Sequence, residues 1–162
     1  MKKYLFLTLL PLIISCGGST NHEANINVVK DYVEAVEKLD HNAMENLLAD
    51  TYVGYGPSFG DTIYREAAVA GWKSNVENLY EGIKYTRSQF AGLTIADGPN
   101  KGDWVANWAE LKITYKNGDM ATIWVNTSYK IEQGKIVKTF AFYNEADVLE
   151  QLGYVFINPN NL

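Results

Sequence analysis

Four long runs of alternating apolar and polar residues, rich in β-branched and aromatic side chains, fill the second half of the chain. They limit the fold more than any other feature. They cover residues 83–96, 103–116, 120–132 and 135–144, with turn signals between them at Asp97-Gly98-Pro99-Asn100, Asn117-Gly118 and Gln133-Gly134. Asn-Gly between two such runs favours a tight hairpin, because both residues tolerate positive φ. The spacing therefore predicts a meander of four antiparallel strands. The preceding segment reads as helical. Val29, Tyr32, Val33 and Val36 recur at three- and four-residue intervals, which stacks them on one side of a helix starting at Asn25. Asp40 is placed to cap a second helix carrying Met44, Leu47 and Leu48. Residues 51–55 read as a brief strand and Gly54 to Gly60 as a glycine-rich turn. Residues 65–80 follow as a third helix that buries Val69, Trp72, Val76 and Leu79. A short helix over 145–152 closes the pattern. Helices first and an antiparallel sheet second predict an α+β domain, its helices covering one face of the sheet.

The N-terminal stretch stands apart from that domain. Lys2 and Lys3 precede an apolar run from Leu5 to Ile14, too short to span a bilayer comfortably. Ile13-Ile14-Ser15-Cys16 resembles the bacterial lipobox, in which a small residue precedes the cysteine that receives the lipid. An ordinary secretory signal with a stray cysteine, or a membrane anchor, is the plainer alternative. Cys16 is the only cysteine of the chain and stands where cleavage is expected. The reading is a removable signal over 1–15, a lipid on Cys16 and a flexible tether over 16–24. The domain then spans 25–153 and a tail 154–162. This implies a protein of the bacterial cell envelope, lipid-anchored to a membrane. No cysteine would remain for a disulfide, so stability must come from a packed core. Without Lys2 and Lys3, the 14 basic residues fall to 12 against 19 acidic ones, a net charge of −7. That balance argues against nucleic acid or anionic lipid as a partner, since both need clustered Lys and Arg.

The order of marks along the domain is similar to the nuclear-transport-factor-2-like superfamily, and within it to the SnoaL-like proteins. The marks are the opening Val29-Lys30-Asp31-Tyr32-Val33-Glu34-Ala35, the passage Leu47-Leu48-Ala49-Asp50-Thr51-Tyr52-Val53, and an ending from Gly134-Lys135-Ile136-Val137 through Tyr143-Asn144-Glu145 to Gln151-Leu152-Gly153. The resemblance implies a cone-shaped fold, in which a strongly bent antiparallel sheet wraps around the N-terminal helices and leaves a cavity. It does not imply one chemistry, because fold and function are separable. Against the ketosteroid isomerase branch, Tyr32 falls at the oxyanion-stabilising tyrosine. The catalytic base falls on Gly56, and the second acid on Thr127. Isomerase chemistry needs an acid-base group, and here two of the three groups are missing.

The expected cavity wall is aromatic, with Tyr32, Tyr55, Trp72, Asn107, Thr127 and Tyr143 as its candidate lining. Such a wall suits a small apolar or aromatic molecule with one or two hydrogen-bonding groups. Alternation alone does not fix which strand aromatics face inward. No cofactor is expected. No metal site is expected either: the two histidines, His22 and His41, form no ligand pair, and Asp97 to Asp103 lacks the acid spacing of a calcium loop. No serine lies in a nucleophile elbow. Two readings remain open. One is an accessory, non-catalytic small-molecule-binding domain. The other is a SnoaL-like enzyme of isomerase, cyclase, dehydratase or hydrolase type, using Tyr32 with a carboxylate such as Glu110 or Asp61. The outer sheet face, with Trp104, Ala106 and Trp108 or Trp124 and Asn126, is expected to carry an apolar patch that supports a homodimer.

Overall fold

The computed structural model describes residues 21–158 and 160. The signal segment and Cys16 lie outside the described residues. Helix α1 (His22–Glu37) is followed by α2 (His41–Leu47), β1 (Leu48–Tyr55), β2 (Thr62–Tyr64) and α3 (Arg65–Asn78). Strands β3 (Tyr80–Ile95), β4 (Gly102–Tyr115), β5 (Met120–Glu132) and β6 (Lys135–Tyr143) come next, and α4 (Glu145–Gln151) closes the domain.

The six strands form one curved sheet in the order β2-β1-β6-β5-β4-β3. The meander β3 to β6 is antiparallel throughout, as the turn signals predict. Gln133 and Gly134 both take positive φ, 51° and 73°, as a two-residue turn matching the strand twist requires. The sheet departs from the expected all-antiparallel pattern at one place: β1 runs parallel to β6. Strand β2 was not expected either. It is three exposed residues long, too short to leave a periodic signal after the glycine-rich turn. Register shifts interrupt β3 between Thr86 and Gln89, and β6 at Val137, opposite Lys130 and Ile131 of β5. An extra residue at such a point bends a strand and raises its twist.

Helix α1 lies across the inner sheet face through the stripe read from the sequence. Val29, Tyr32, Val33 and Val36 are all buried, in one cluster with Val105, Tyr129, Ile131 and Ile136 of the sheet. Each such side chain contributes roughly 1.5–3 kcal/mol on leaving water. The helix begins at His22, three residues before the expected Asn25. His22 packs over Gly92, where a Cβ would lie 2.7 Å from that of His22, and its Nε2 bonds Thr94 Oγ1 at 3.0 Å. Asp40 caps α2 by accepting the Ala43 N–H at 3.0 Å. Helix α3 is less deeply seated than expected: Ala68 is buried, Val69, Trp72 and Val76 are partly so, and Leu79 is exposed. At the far end, Asn144 caps α4. Gln151 clamps that helix to the sheet, its side chain accepting the Thr122 N–H at 2.8 Å and donating to the Thr122 carbonyl at 2.9 Å.

Candidate functional site

The strand alternation is fixed by what α1 buries. Odd-numbered residues of β4 and β5 face the helices and even-numbered ones face away; β6 follows that phase from Thr139 onward, whereas before its bulge at Val137 the even-numbered Ile136 faces in. The inward set, with α1, α3 and α4, encloses a cavity of about 440 Å³, within the ~300–1,000 Å³ typical of small-molecule sites. Its walls are apolar where Val36, Leu111, Ile113, Ile123 and Val125 face in, and Val148 and Leu149 of α4, with Leu152 just after it, close one side.

The polar groups sort into two tiers. Tyr32, Tyr52, Tyr85 and Tyr129 form the deep tier with Thr127 and Thr139. The Tyr52 and Thr139 hydroxyls hydrogen-bond at 2.7 Å, and the Tyr32 ring meets Tyr129 edge-on at 5.9 Å. Gly54 makes room for that pair: a Cβ there would stand 2.5 Å from the Tyr52 hydroxyl. Burial pushes the Tyr32 phenol far above its usual range, Tyr52 and Tyr85 add to this, and the Trp72 indole opposes it. Tyr129 is raised by burial, then by Tyr85 and Tyr32, and Tyr85 by burial, then by Glu37 and Tyr80. These phenols are close enough for each to disfavour the ionisation of its neighbours. At neutral pH all four are therefore neutral hydrogen-bond donors.

The outer tier is Trp72, Tyr80, Tyr115 and Tyr143, with Glu145 at the start of α4. Tyr80 stands between Trp72 and Tyr115, its ring centroid 6.2 Å and 5.9 Å from theirs. Its hydroxyl is raised to about 12, by burial first and then by Tyr115 and Tyr143. Tyr143 is raised by burial, then by Glu145, Tyr115 and Asp61. Both carboxylates thus project their charge onto this tier. Glu145 is the one acidic side chain, and no Lys, Arg or His is found, among the described lining residues.

Of the lining expected from sequence, Tyr32, Trp72, Thr127 and Tyr143 face this cavity, whereas Tyr55 and Asn107 do not. Tyr55 points to the outer sheet face, stacked on Phe140 at 4.7 Å, because Tyr52 and Gly54 take the inward positions of β1. Asn107 is fully buried, and its amide donates to the Gln89 carbonyl at 3.2 Å beside the β3 bulge. It secures the bulge instead of facing a ligand. Glu110 also lies on the outer face. It accepts from Thr86 at 2.9 Å and pairs with Arg87 and Lys112, and that Thr86 bond followed by the two cations holds its carboxyl below the usual range. Asp61 is exposed near the mouth. Its Oδ2 lies 3.2 Å from where a residue-56 Cβ would project, so it fills the space that Gly56 leaves open. Tyr52, Tyr80, Tyr85, Tyr115, Tyr129, Thr139 and Glu145 join the lining without having been singled out. The odd-numbered phase shared by Thr127 and Tyr143 is the signal that finds Tyr129, Thr139 and Tyr115.

A bent sheet wrapped around helices, with its cavity between the first helix and the sheet, is the nuclear-transport-factor-2-like arrangement. Within it, the chain belongs to the SnoaL-like domain family, whose profile matches residues 29–139. A proposed polyketide cyclase from Xanthomonas campestris shares the fold with a TM-score of 0.67 at 15% identity, over 82% of this chain and 98% of that one. An LEH-like epoxide hydrolase from Mycobacterium tuberculosis aligns with a TM-score of 0.60 at 14% identity, over 81% and 90% of the two chains. IdmH of Streptomyces antibioticus, also a proposed polyketide cyclase, aligns with a TM-score of 0.61 at 18% identity, over 80% and 99%. No curated protein matches the chain in sequence.

Proposed function

We propose that the domain is a binding module for a small, largely apolar molecule bearing a hydrogen-bond acceptor, and that it is tethered to the bacterial envelope by a lipid on Cys16. One observation carries the binding reading. The deep tier presents four neutral phenols, with the Thr139 and Thr127 hydroxyls already bonded to Tyr52 and Tyr129, and it holds no ionised group among its described residues. A carbonyl or ether oxygen satisfies such donors, whose burial without an acceptor costs roughly 1–3 kcal/mol each. A phenol held neutral cannot take a proton from carbon, so this floor orients a ligand without transforming it. The reading is tested by fluorescence titration with small ketones, acetophenone among them. Tyr32→Phe is expected to weaken binding about tenfold, the equivalent of one lost hydrogen bond, with an unchanged circular-dichroism spectrum. Failure of every ketone to bind below millimolar concentration overturns it.

A second reading, an enzyme, is favoured by the position of Asp61 beside Gly56, where the isomerase base would project. The names of the structural relatives, polyketide cyclase and epoxide hydrolase, support that reading as well. Turnover of a ketosteroid-like substrate by the wild type, abolished in Asp61→Asn, would establish it in place of the first.

A further inference from the structure

We infer that the mouth of the cavity recognises an organic cation, an alkylated ammonium group carried at one end of the ligand, with Trp72, Tyr80, Tyr115 and Tyr143 as its aromatic box and Glu145 as its counter-charge. This deepens the ligand-binding reading and rests on it. Trp72, Tyr80 and Tyr115 follow one another at centroid distances of 6.2 Å and 5.9 Å, tilted by 48° and 46°. A row of rings tilted in this way forms a bent wall instead of a flat stack. The negative faces of such rings attract a cation within about 6 Å. Glu145 stands at the rim of the same wall, and both it and Asp61 act on the Tyr143 hydroxyl, so the potential at the mouth is negative.

An anion has nothing to pair with, because Lys, Arg and His are missing from the described lining. The floor is the wrong place for a cation, since complete burial without a carboxylate strips its hydration uncompensated. The mouth is the right place: Tyr143 and Glu145 are exposed, so a bound cation keeps part of its water and gains a carboxylate. A primary ammonium needs several acceptors to replace its hydration, and this wall offers few. An alkylated ammonium is weakly hydrated and needs ring faces instead. The ligand would then place an oxygen acceptor among the deep phenols and its cationic end at the mouth.

Choline and 3,3-dimethylbutan-1-ol differ only in the charged nitrogen, so titrating the purified full chain with each by calorimetry isolates the charge. Acetophenone serves as the neutral probe of the cavity itself. Choline is expected to bind at least about tenfold tighter than its carbon isostere. Glu145→Gln and Trp72→Leu should each weaken choline about three- to tenfold while moving the isostere less than about twofold. Trp72→Phe, which keeps a ring face, should retain most of the affinity, and it replaces the leucine variant if that one does not fold. Equal affinity for choline and the isostere overturns the inference. If acetophenone binds and neither alkyl probe does, the inference falls while the cavity reading stands. If none of the three binds, both fall.

Discussion

The buried phenols make the domain sensitive to alkali in a way that can be worked out from the structure. Burial raises Tyr32, Tyr85 and Tyr129 well above the ordinary phenol value near 10, and Tyr80 to about 12. In the unfolded chain the same groups ionise near pH 10. A folded-state pKa above the unfolded one contributes stability that is complete below pH 10. That contribution is lost as the pH rises toward the folded value, because the unfolded chain sheds protons that the folded chain keeps. Each group lowers stability by about 1.4 kcal/mol per pH unit above 10. At pH 11 the four together remove roughly 5–6 kcal/mol, comparable with the ~5–15 kcal/mol that holds a domain of this size together. The urea midpoint should therefore be flat from pH 7 to 9.5 and fall steeply above 10. The share of the phenolate absorbance near 295 nm that belongs to these four should rise with unfolding, not before it. Titration of most tyrosines near pH 10 in a chain that stays folded would refute the burial of this tier.

Tyr52→Phe removes the partner of the Thr139 hydroxyl and should cost about 1–2 kcal/mol, as should Thr139→Val. The double variant should cost less than the sum by about 1 kcal/mol, and strict additivity in urea unfolding would show that the 2.7 Å pair is not formed. Trp108, Trp124 and Phe142 remain 48%, 64% and 56% exposed on the outer sheet face, and a second copy is expected to cover them. Wild type should sediment as a dimer at micromolar concentration and Trp124→Glu as a monomer, whereas a monomeric wild type counts against the pairing. Cys16→Ala should move the protein from the membrane to the soluble fraction of fractionated cells. An unchanged distribution would place the anchor elsewhere.

Most of the architecture was legible because local signals agreed with one another. The α1 stripe, the Asp40 cap and the turns at Asn117-Gly118 and Gln133-Gly134 each constrain a neighbouring element, and together they leave one layered arrangement. The parallel pairing of β1 with β6 was not legible, since nothing local to either strand encodes it. The cavity was half legible for a different reason. On β4, Trp104, Ala106 and Trp108 alternate with Val105, Asn107 and Ala109, so both faces are largely apolar and alternation cannot choose between them. The choice is made by α1, which buries Val105 at a distance in sequence that no periodicity reports. Tyr55 faces outward, a phase that nothing local to β1 fixes, and Asn107 has the inward phase but is taken up by the Gln89 carbonyl at the β3 bulge. Tyr32 faces the cavity, as its place in the α1 stripe requires, because a helix stripe tolerates no such slip.

The tyrosine-lined cavity is expected to hold a small molecule. Native mass spectrometry of the chain from Gly17 onward, purified without denaturation and then titrated with acetophenone, tests it most directly. Ile123 faces the cavity and is 4% exposed, so Ile123→Trp should fill the space. The wild type should show a ligand-bound mass, either co-purified or formed with acetophenone, and a folded Ile123→Trp only the bare mass. A bare mass for both proteins at every ligand concentration, or the same added mass on both, would contradict that expectation.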